Sequence, residues 1–305
     1  MSTPTPTPTL CAGVGFREQS MPKISERNPD SAPGDWFIDQ RCIDCAASRT
    51  VAPGLIVRRN GKSVFARQPE NEGERLAAWR AALVCPTASV GTESHRPQPY
   101  AVFPHELAPS IYRCGYNARS SWGAHSYLVK RPQGNLLVDA PRFVNQFVAQ
   151  LEALGGIQDI LLTHRDDVAE ADRYAHRFGA RVWIHEDDQS AAPYATHLLQ
   201  GVEATVIRDG LLAIPVPGHT KGSVAFLLED TYLFSGDSLA WSVERRDLAA
   251  FHDACWYSWA EQGKSLERLA SYRFEWILAG HGAEVCLLPD EMRRRLLVLV
   301  ERMRR

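Results

Sequence analysis

The segment Pro217-Gly218-His219-Thr220-Lys221-Gly222-Ser223 follows an apolar, strand-like run, and two later turns repeat this arrangement. They are Ser235-Gly236-Asp237-Ser238 and Ala279-Gly280-His281-Gly282. Upstream, Leu161-Leu162-Thr163-His164-Arg165-Asp166-Asp167-Val168-Ala169 also ends an apolar stretch with a histidine and acids. Imidazole and carboxylate groups are metal ligands, so four strand ends of this chain carry donor side chains.

The order of these four segments resembles that of the metallo-β-lactamase-fold superfamily. The first motif of that family is His-x-His-x-Asp-His, and only its leading histidine, His164, is present here. Asp166 stands at the second histidine position, and Val168 and Ala169 stand at the last two. The resemblance therefore implies a metal site that has lost some of its ligands.

Carried over position by position, the resemblance implies unequal ligand sets for two metals. The first set is His164, Asp166, His219 and Asp237. The second set keeps only Asp237, the bridging carboxylate, and His281. We therefore expect at most one tightly bound divalent metal, which could be zinc, iron or manganese. Asp167 or Asp172 could swing into the second site, but both are interpreted as acids at a helix start that face solvent.

The chemistry implied by this resemblance is metal-dependent hydrolysis of an ester, thioester or lactone. A metal on the first set would lower the pKa of a water and polarise a carbonyl oxygen. Asp237 could orient that water or take its proton, and Asp166 is the second candidate catalytic carboxylate. Residues 112–116 and 255–259 are candidates for the pocket wall. His125, His176 and His185 are interpreted as structural or surface residues, with His185 the best of them for a substrate contact.

Three of the seven cysteines form a second pattern. Cys42-Ile43-Asp44-Cys45-Ala46-Ala47-Ser48, followed later by Cys85-Pro86, resembles the single-cluster bacterial ferredoxin motif Cys-x2-Cys-x2-Cys…Cys-Pro. A 4Fe-4S cluster uses four thiolates, and Ser48 replaces the third cysteine. Three outcomes stay open: Ser48 ligates as an alkoxide, Cys42, Cys45 and Cys85 hold a three-iron cluster, or the fold persists without a cofactor. The sequence favours the last, because a serine hydroxyl loses its proton less readily than a thiol.

The composition is that of an ordinary globular protein. The chain has 305 residues, 45% of them apolar, and a net charge of -2. We expect a small-molecule substrate and no nucleic-acid partner, and leave open a redox partner or a second copy of the chain. No apolar run has membrane-spanning length, the start lacks the features of a secretory signal, and the cysteines are too scattered for a disulfide framework, so a cytoplasmic protein without membrane contact is predicted.

The predicted fold class is α+β: a ferredoxin-like domain, then a four-layer αββα metallo-β-lactamase sandwich. The expected division is a disordered tail over 1–30, the first domain and a linker over 31–98, and the second domain over 99–305. Asn60-Gly61 predicts a hairpin. The segment 96–109, which contains prolines, is typical of a linker. Helices are predicted over 74–83, 143–154, 168–178, 258–272 and 290–302, and strands between them.

The function has two rivals to hydrolysis. The first is a redox protein, in which electrons pass from an N-terminal iron–sulfur cluster to the second domain. The second is a member of the fold that binds a ligand without catalysis, having lost its metals.

Overall fold

A computed structural model describes residues 21–99 and 102–304 of the chain. Most of the predicted tail, with Cys11, lies outside these residues. Residues 21–30, which the sequence assigned to the tail, include a short 3-10 helix, Ile24–Glu26. The backbone of Arg27 forms an isolated antiparallel β-bridge with that of Asp39. The domain bounds otherwise stay a prediction.

The N-terminal part is built from two small sheets and two helices. Its elements are β1 (Trp36–Ile38), α1 (Ala47–Val51), β2 (Ile56–Arg59), β3 (Lys62–Phe65), α2 (Glu72–Val84) and β4 (Val90–Thr92). Strands β2 and β3 form the hairpin predicted at Asn60-Gly61, and β1 pairs with β4 in antiparallel. The Asn71 side chain accepts a hydrogen bond from the Glu74 amide and so caps α2.

The remaining elements form two larger sheets, a small hairpin and four helices. The elements up to the middle of this part are β5 (His105–Ala108), β6 (Ile111–Arg113), β7 (Tyr127–Val129), β8 (Leu136–Val138), α3 (Asn145–Ala153), β9 (Asp159–Leu161), α4 (Ala171–Phe178), β10 (Arg181–His185) and β11 (His197–Leu199). They are followed by β12 (Thr205–Arg208), β13 (Leu211–Pro215), β14 (Val224–Leu228), β15 (Tyr232–Gly236), β16 (Ala240–Ser242), β17 (Asp247–Ala249), α5 (Trp259–Leu269), β18 (Trp276–Ala279), β19 (Val285–Cys286) and α6 (Pro289–Met303).

These elements stack in four layers. One sheet has the order β11-β10-β9-β8-β7-β6-β5, and the other has the order β12-β13-β14-β15-β18-β19. The apolar core between the sheets contains Tyr127, Phe226 and Phe234. Helices α3 and α4 cover the outer face of the first sheet, and α5 and α6 cover that of the second. The predicted αββα sandwich is confirmed.

The N-terminal part shares a core with the first sheet layer. Trp36 and Phe65 belong to the same buried cluster as Phe103, Tyr116 and Phe147. The two parts are therefore joined by apolar packing as well as by the chain.

The segment predicted as a linker differs from expectation. Its residues His105–Ala108 form β5, the edge strand that pairs with β6. Four residues of mixed polarity carry little strand signal of their own, and the pairing with β6 supplies the stabilisation that the sequence pattern does not show. Across residues 21–99 and 102–304, none of the helices combines the length and apolarity that a membrane span requires.

Candidate metal centre and cysteine site

Loops after β9, β13, β15 and β18 bring donor side chains to one edge of the sandwich. The side chains gathered there are His164, Asp166, Asp167, His219, Asp237 and His281. The motifs are far apart in sequence, but the ends of neighbouring strands meet at this edge.

The first group surrounds one carboxylate oxygen. The Nε2 atoms of His164 and His219 each lie 3.7 Å from Oδ2 of Asp237. Oδ2 of Asp166 lies 3.2 Å from Nε2 of His219 and 4.0 Å from Nε2 of His164. Two imidazole nitrogens and two carboxylates thus point at a common space.

The environment of His164 shows that this group fits a cation. The ring is buried, Nδ1 is held 3.0 Å from the Thr163 hydroxyl, and Nε2 has no hydrogen-bond partner. Burial lowers the pKa of His164 to about 4, so the ring is neutral at pH 7. A neutral imidazole with a buried free lone pair is the form that binds a divalent metal. The donor chemistry therefore fits zinc, iron or manganese.

The second group contains Asp167, Asp237 and His281. Nδ1 of His281 lies 2.9 and 3.0 Å from the two oxygens of Asp237. Burial opposes both charges, yet their proximity raises the pKa of His281 and holds that of Asp237 well below its usual range. A Cβ at Gly280 would lie 2.6 Å from Oδ1 of Asp237 and 2.8 Å from Oδ2 of Asp167, so glycine leaves room for both carboxyl groups.

The position of Asp167 corrects the expectation that it faces solvent. It is 1% exposed, and neither carboxyl oxygen has a hydrogen-bond partner. The 3-10 turn Arg165–Asp167 directs it inward, where burial and the charge of Asp237 raise its pKa well above the usual range. Asp172 is exposed, as expected. Asp167 occupies a variable position of the family motif, and the structure places it in the second group, the alternative that the sequence left open for it.

The aromatic segment after β17 supports the centre from outside. The amides of Trp256 and Tyr257 donate to the backbone oxygen of His219, at 2.9 and 3.1 Å, and the Cys255 thiol donates to that of Gly218. The Trp256 ring is 6.2 Å from the His219 ring. These contacts fix the loop that carries His219.

A cavity of about 1230 Å³ opens onto the centre. Trp256 and Trp259 line it, as expected for the segment 255–259, whereas residues 112–116 do not. The opposite wall comes from the N-terminal part and includes Cys45 and Arg49. The sequence did not predict that the N-terminal part contributes to the pocket.

A loop of the second part connects the two walls of the cavity. A Cβ at Gly123, whose φ is +88°, would lie 3.0 Å from both Sγ of Cys45 and Cγ of Pro86. Its neighbour Trp122 has φ +49° and a side chain that lines the cavity, and its backbone oxygen lies 3.5 Å from Nε2 of His281. Positive φ is costly for a bulky residue and is typical of functional sites.

The three cysteines of the ferredoxin-like motif lie together. Cys42 Sγ accepts hydrogen bonds from the amides of Asp44, at 3.5 Å, and Ser63, at 3.4 Å, and Cys85 Sγ accepts one from Ser89 at 3.2 Å. Burial raises the pKa of Cys45 to about 12, and the charges of Cys85 and Cys42 add to this effect. The six described cysteines are free thiols.

Ser48 does not present its oxygen as a fourth ligand. The side chain is buried, and its hydroxyl donates to the backbone oxygen of Ala81 at 3.3 Å. Three thiols of the site thus fit an iron–sulfur group, and the fourth position does not.

The remaining predicted histidines have structural roles or lie at the surface. His125 is buried, with Nδ1 3.1 Å from Nδ2 of Asn117. His185 is also buried, with Nε2 2.9 Å from the Gly201 oxygen, and neither residue lines the cavity. His176 lies on the exposed side of α4.

Comparison with known proteins identifies the class. Residues 108–300 match the family model of the metallo-beta-lactamase superfamily, and residues 38–92 match that of the 4Fe-4S single cluster domain of ferredoxin I. The chain therefore belongs to the metallo-β-lactamase superfamily and carries a single-cluster ferredoxin domain in front of it.

Each of the following relatives matches only part of the chain. The uncharacterised protein YobT of Bacillus subtilis is 30% identical over an alignment of 202 residues that covers 55% of this chain and 87% of that protein. A hydroxyacylglutathione hydrolase of Fuscovulum blasticum is 37% identical over 34% of this chain, and one of Acidiphilium cryptum is 33% identical over 38%. The matches span less than half of these two enzymes, 42% and 49% of their lengths.

Solved structures share the fold. A metallo-β-lactamase from Erythrobacter litoralis superposes with a TM-score of 0.52 and 17% identity, over 65% of this chain and 95% of that one. One from Hirschia baltica gives 0.51 and 16%, over 64% and 96%.

Proposed function

We propose that the protein is a metal-dependent hydrolase of an ester, thioester or lactone, with one tightly bound metal. The carrying observation is the buried, unpartnered Nε2 of His164, which faces His219 and Asp237. The similarity to two hydroxyacylglutathione hydrolases supports a thioester substrate. His164, His219, Asp237 and Asp166 would hold the metal, which when bound would supply Lewis acidity and lower the pKa of a water.

The two carboxylates Asp237 and Asp166 differ in exposure, and we assign them different roles. The side chain of Asp237 is 11% exposed and kept ionised beside His281, so it holds the ligand geometry. Asp166 is less buried and lines the cavity, where its carboxylate can reach a substrate. Its hydrogen bond with His219 lowers its pKa, which keeps it ionised at neutral pH and so available as a metal ligand.

The test is hydrolysis of thioesters, aryl esters and lactones by the full-length protein. Activity should disappear with a chelator and return with zinc, iron or manganese. His219→Ala and Asp237→Asn should each lower kcat/KM by at least about 100-fold, because each weakens the metal that provides several kcal/mol of catalysis. His176→Ala, at an exposed histidine, is the matched control. Activity that persists in metal-free protein would contradict the mechanism.

A redox function is the second candidate, and one observation favours it. Cys45 lines the same cavity as His219 and His281, so an iron–sulfur group and a metal-bound substrate would be close neighbours. Substrate-dependent oxidation of a reduced iron–sulfur group, followed by visible absorbance, tests it. A native protein with neither metal nor turnover would instead support the ligand-binding member of the fold.

A further inference from the structure

We infer that the N-terminal domain binds a three-iron, four-sulfide cluster on Cys42, Cys45 and Cys85, and that Ser48 is not a ligand. The family match implies four irons and four thiolates. The structure departs from that pattern at one of the four iron positions, called here the fourth corner of the cluster, where Ser48 replaces a cysteine.

Two of the three cysteine sulfurs, those of Cys42 and Cys85, accept hydrogen bonds from backbone amides, as the ligands of an iron–sulfur cluster do. Backbone amides donate to Cys42 from Asp44 and Ser63, and to Cys85 from Ser89. Amide hydrogen bonds to sulfur stabilise the charged form of a cluster ligand. A domain that had only kept the fold would not need three half-buried or buried thiols at one place.

Positive charge also faces these sulfurs. The charge of Arg49, which also pairs with Asp44 at 2.6 Å, opposes the rise in the pKa of Cys45. The half-buried Arg142 and Cys85 attract each other. Arg142 is held in place by a 3.1 Å hydrogen bond from Nε to the Asn117 oxygen. An iron–sulfur cluster with three thiolates is an anion, so Arg142 complements its charge, whereas Arg49 is already paired with Asp44.

The fourth corner is closed to ligation. Ser48 lies on α1 against α2, among buried apolar residues, and its hydroxyl donates to Ala81. To bind iron it would have to give up this hydrogen bond and become an alkoxide in an apolar environment, and burial strongly opposes an unpaired charge. An iron at that position would therefore have no protein ligand, and a cluster that loses this iron keeps its other three irons on the three thiolates.

The experiment is anaerobic reconstitution of the full-length protein with iron and sulfide, then removal of loosely bound ions. We expect acid-labile sulfide at about four per chain and, after oxidation, a paramagnetic cluster visible by electron paramagnetic resonance. Iron bound at the histidine centre is measured in a parallel sample without sulfide and subtracted, which should leave about three irons.

Two substitutions at one position separate the outcomes. Ser48→Ala should have the same iron and sulfide content per chain and the same electron paramagnetic resonance spectrum as the natural chain. Ser48→Cys should take up a fourth iron and lose the paramagnetic signal of the oxidised cluster. Cys45→Ala should lose the sulfide, and Cys255→Ala, at a cysteine outside the motif, should keep it.

Three results would overturn the inference. The first is four irons in the natural chain: a fall to three in Ser48→Ala would make Ser48 a ligand, and four irons in both proteins would mean that the fourth iron is held without a protein ligand. Uptake of sulfide by Ser48→Cys alone would mean that the natural domain is a fold without a cofactor. No uptake by either protein would show that these cysteines do not form a cluster site.

Discussion

At the scale of single residues, the number of donor side chains on each side of Asp237 determines where a metal binds tightly. The first group has two histidines, His164 and His219, and the second has His281 alone with Asp167. Imidazole binds zinc-like metals more strongly than a carboxyl group whose pKa is raised by burial. The two sides are therefore unequal.

We predict one tightly bound metal at the histidine centre, and that it depends on His219 more than on His281. His219→Ala should lower its affinity by at least about 100-fold, and His281→Ala by about tenfold or less, because only the first removes a direct ligand. Elemental analysis after dialysis against a weak chelator measures both, on protein without reconstituted iron and sulfide. Two metals per chain, one of them lost in Asp167→Asn, would contradict the prediction and assign Asp167 as a ligand.

The sequence predicted the centre better than it predicted its surroundings. His164, His219, Asp237 and His281 could be found because each follows an apolar strand in a recognisable turn. The burial of Asp167 depends on a single 3-10 turn and the opposing loops, which leave no periodic pattern. The second wall of the cavity depends on how two domains pack, and residue spacing within either domain does not encode that.

At the scale of elements, β5 shows how tertiary pairing overrides a weak local signal. Its histidine, His105, is half-buried beside Arg80 and Arg113, and Arg113 pairs with Glu284 near the other end of the chain. Burial first, and then the two arginines, lower the pKa of His105 to about 4.

This arrangement makes the stability of the protein depend on pH. Unfolded His105 binds a proton near pH 6.5, whereas the folded residue does so only near pH 4. The unfolded state therefore binds more protons within this window, and the free energy of unfolding should fall as the pH drops from about 6.5 to about 4. In His105→Gln the fall should be shallower, as measured by urea unfolding at pH 7 and pH 5. His176→Gln is the exposed control, and equal slopes in natural and His105→Gln protein would refute this role.

At the scale of the whole molecule, one buried cluster runs from the ferredoxin-like part into the first layer of the sandwich. Phe103 lies in it, 1% exposed, with its ring 6.2 Å from that of Tyr116. Domains that share a core are expected to lose their structure together.

We therefore predict a single unfolding transition that includes both parts. Phe103→Ala should lower the free energy of unfolding by about 3–5 kcal/mol, the usual cost of removing a buried aromatic ring. Hydrogen exchange should report similar opening free energies for β1 and β14 and a similar drop in both. Val206→Ala, at a residue 70% exposed, should change stability by less than about 0.5 kcal/mol. Loss of protection in β1 alone would show that the first part unfolds independently.

The close approach of Gly123 to Cys45 and Pro86 also limits how this protein can be recombined. A ferredoxin module taken from another protein would have to present the same narrow surface to the 122–123 backbone, or the loop that reaches His281 would be displaced. The ferredoxin-like part therefore cannot be exchanged for another domain without regard to this contact. A substitution on one side of this contact restricts the substitutions that the other side can accept. The two surfaces should therefore change together, both in evolution and in protein engineering.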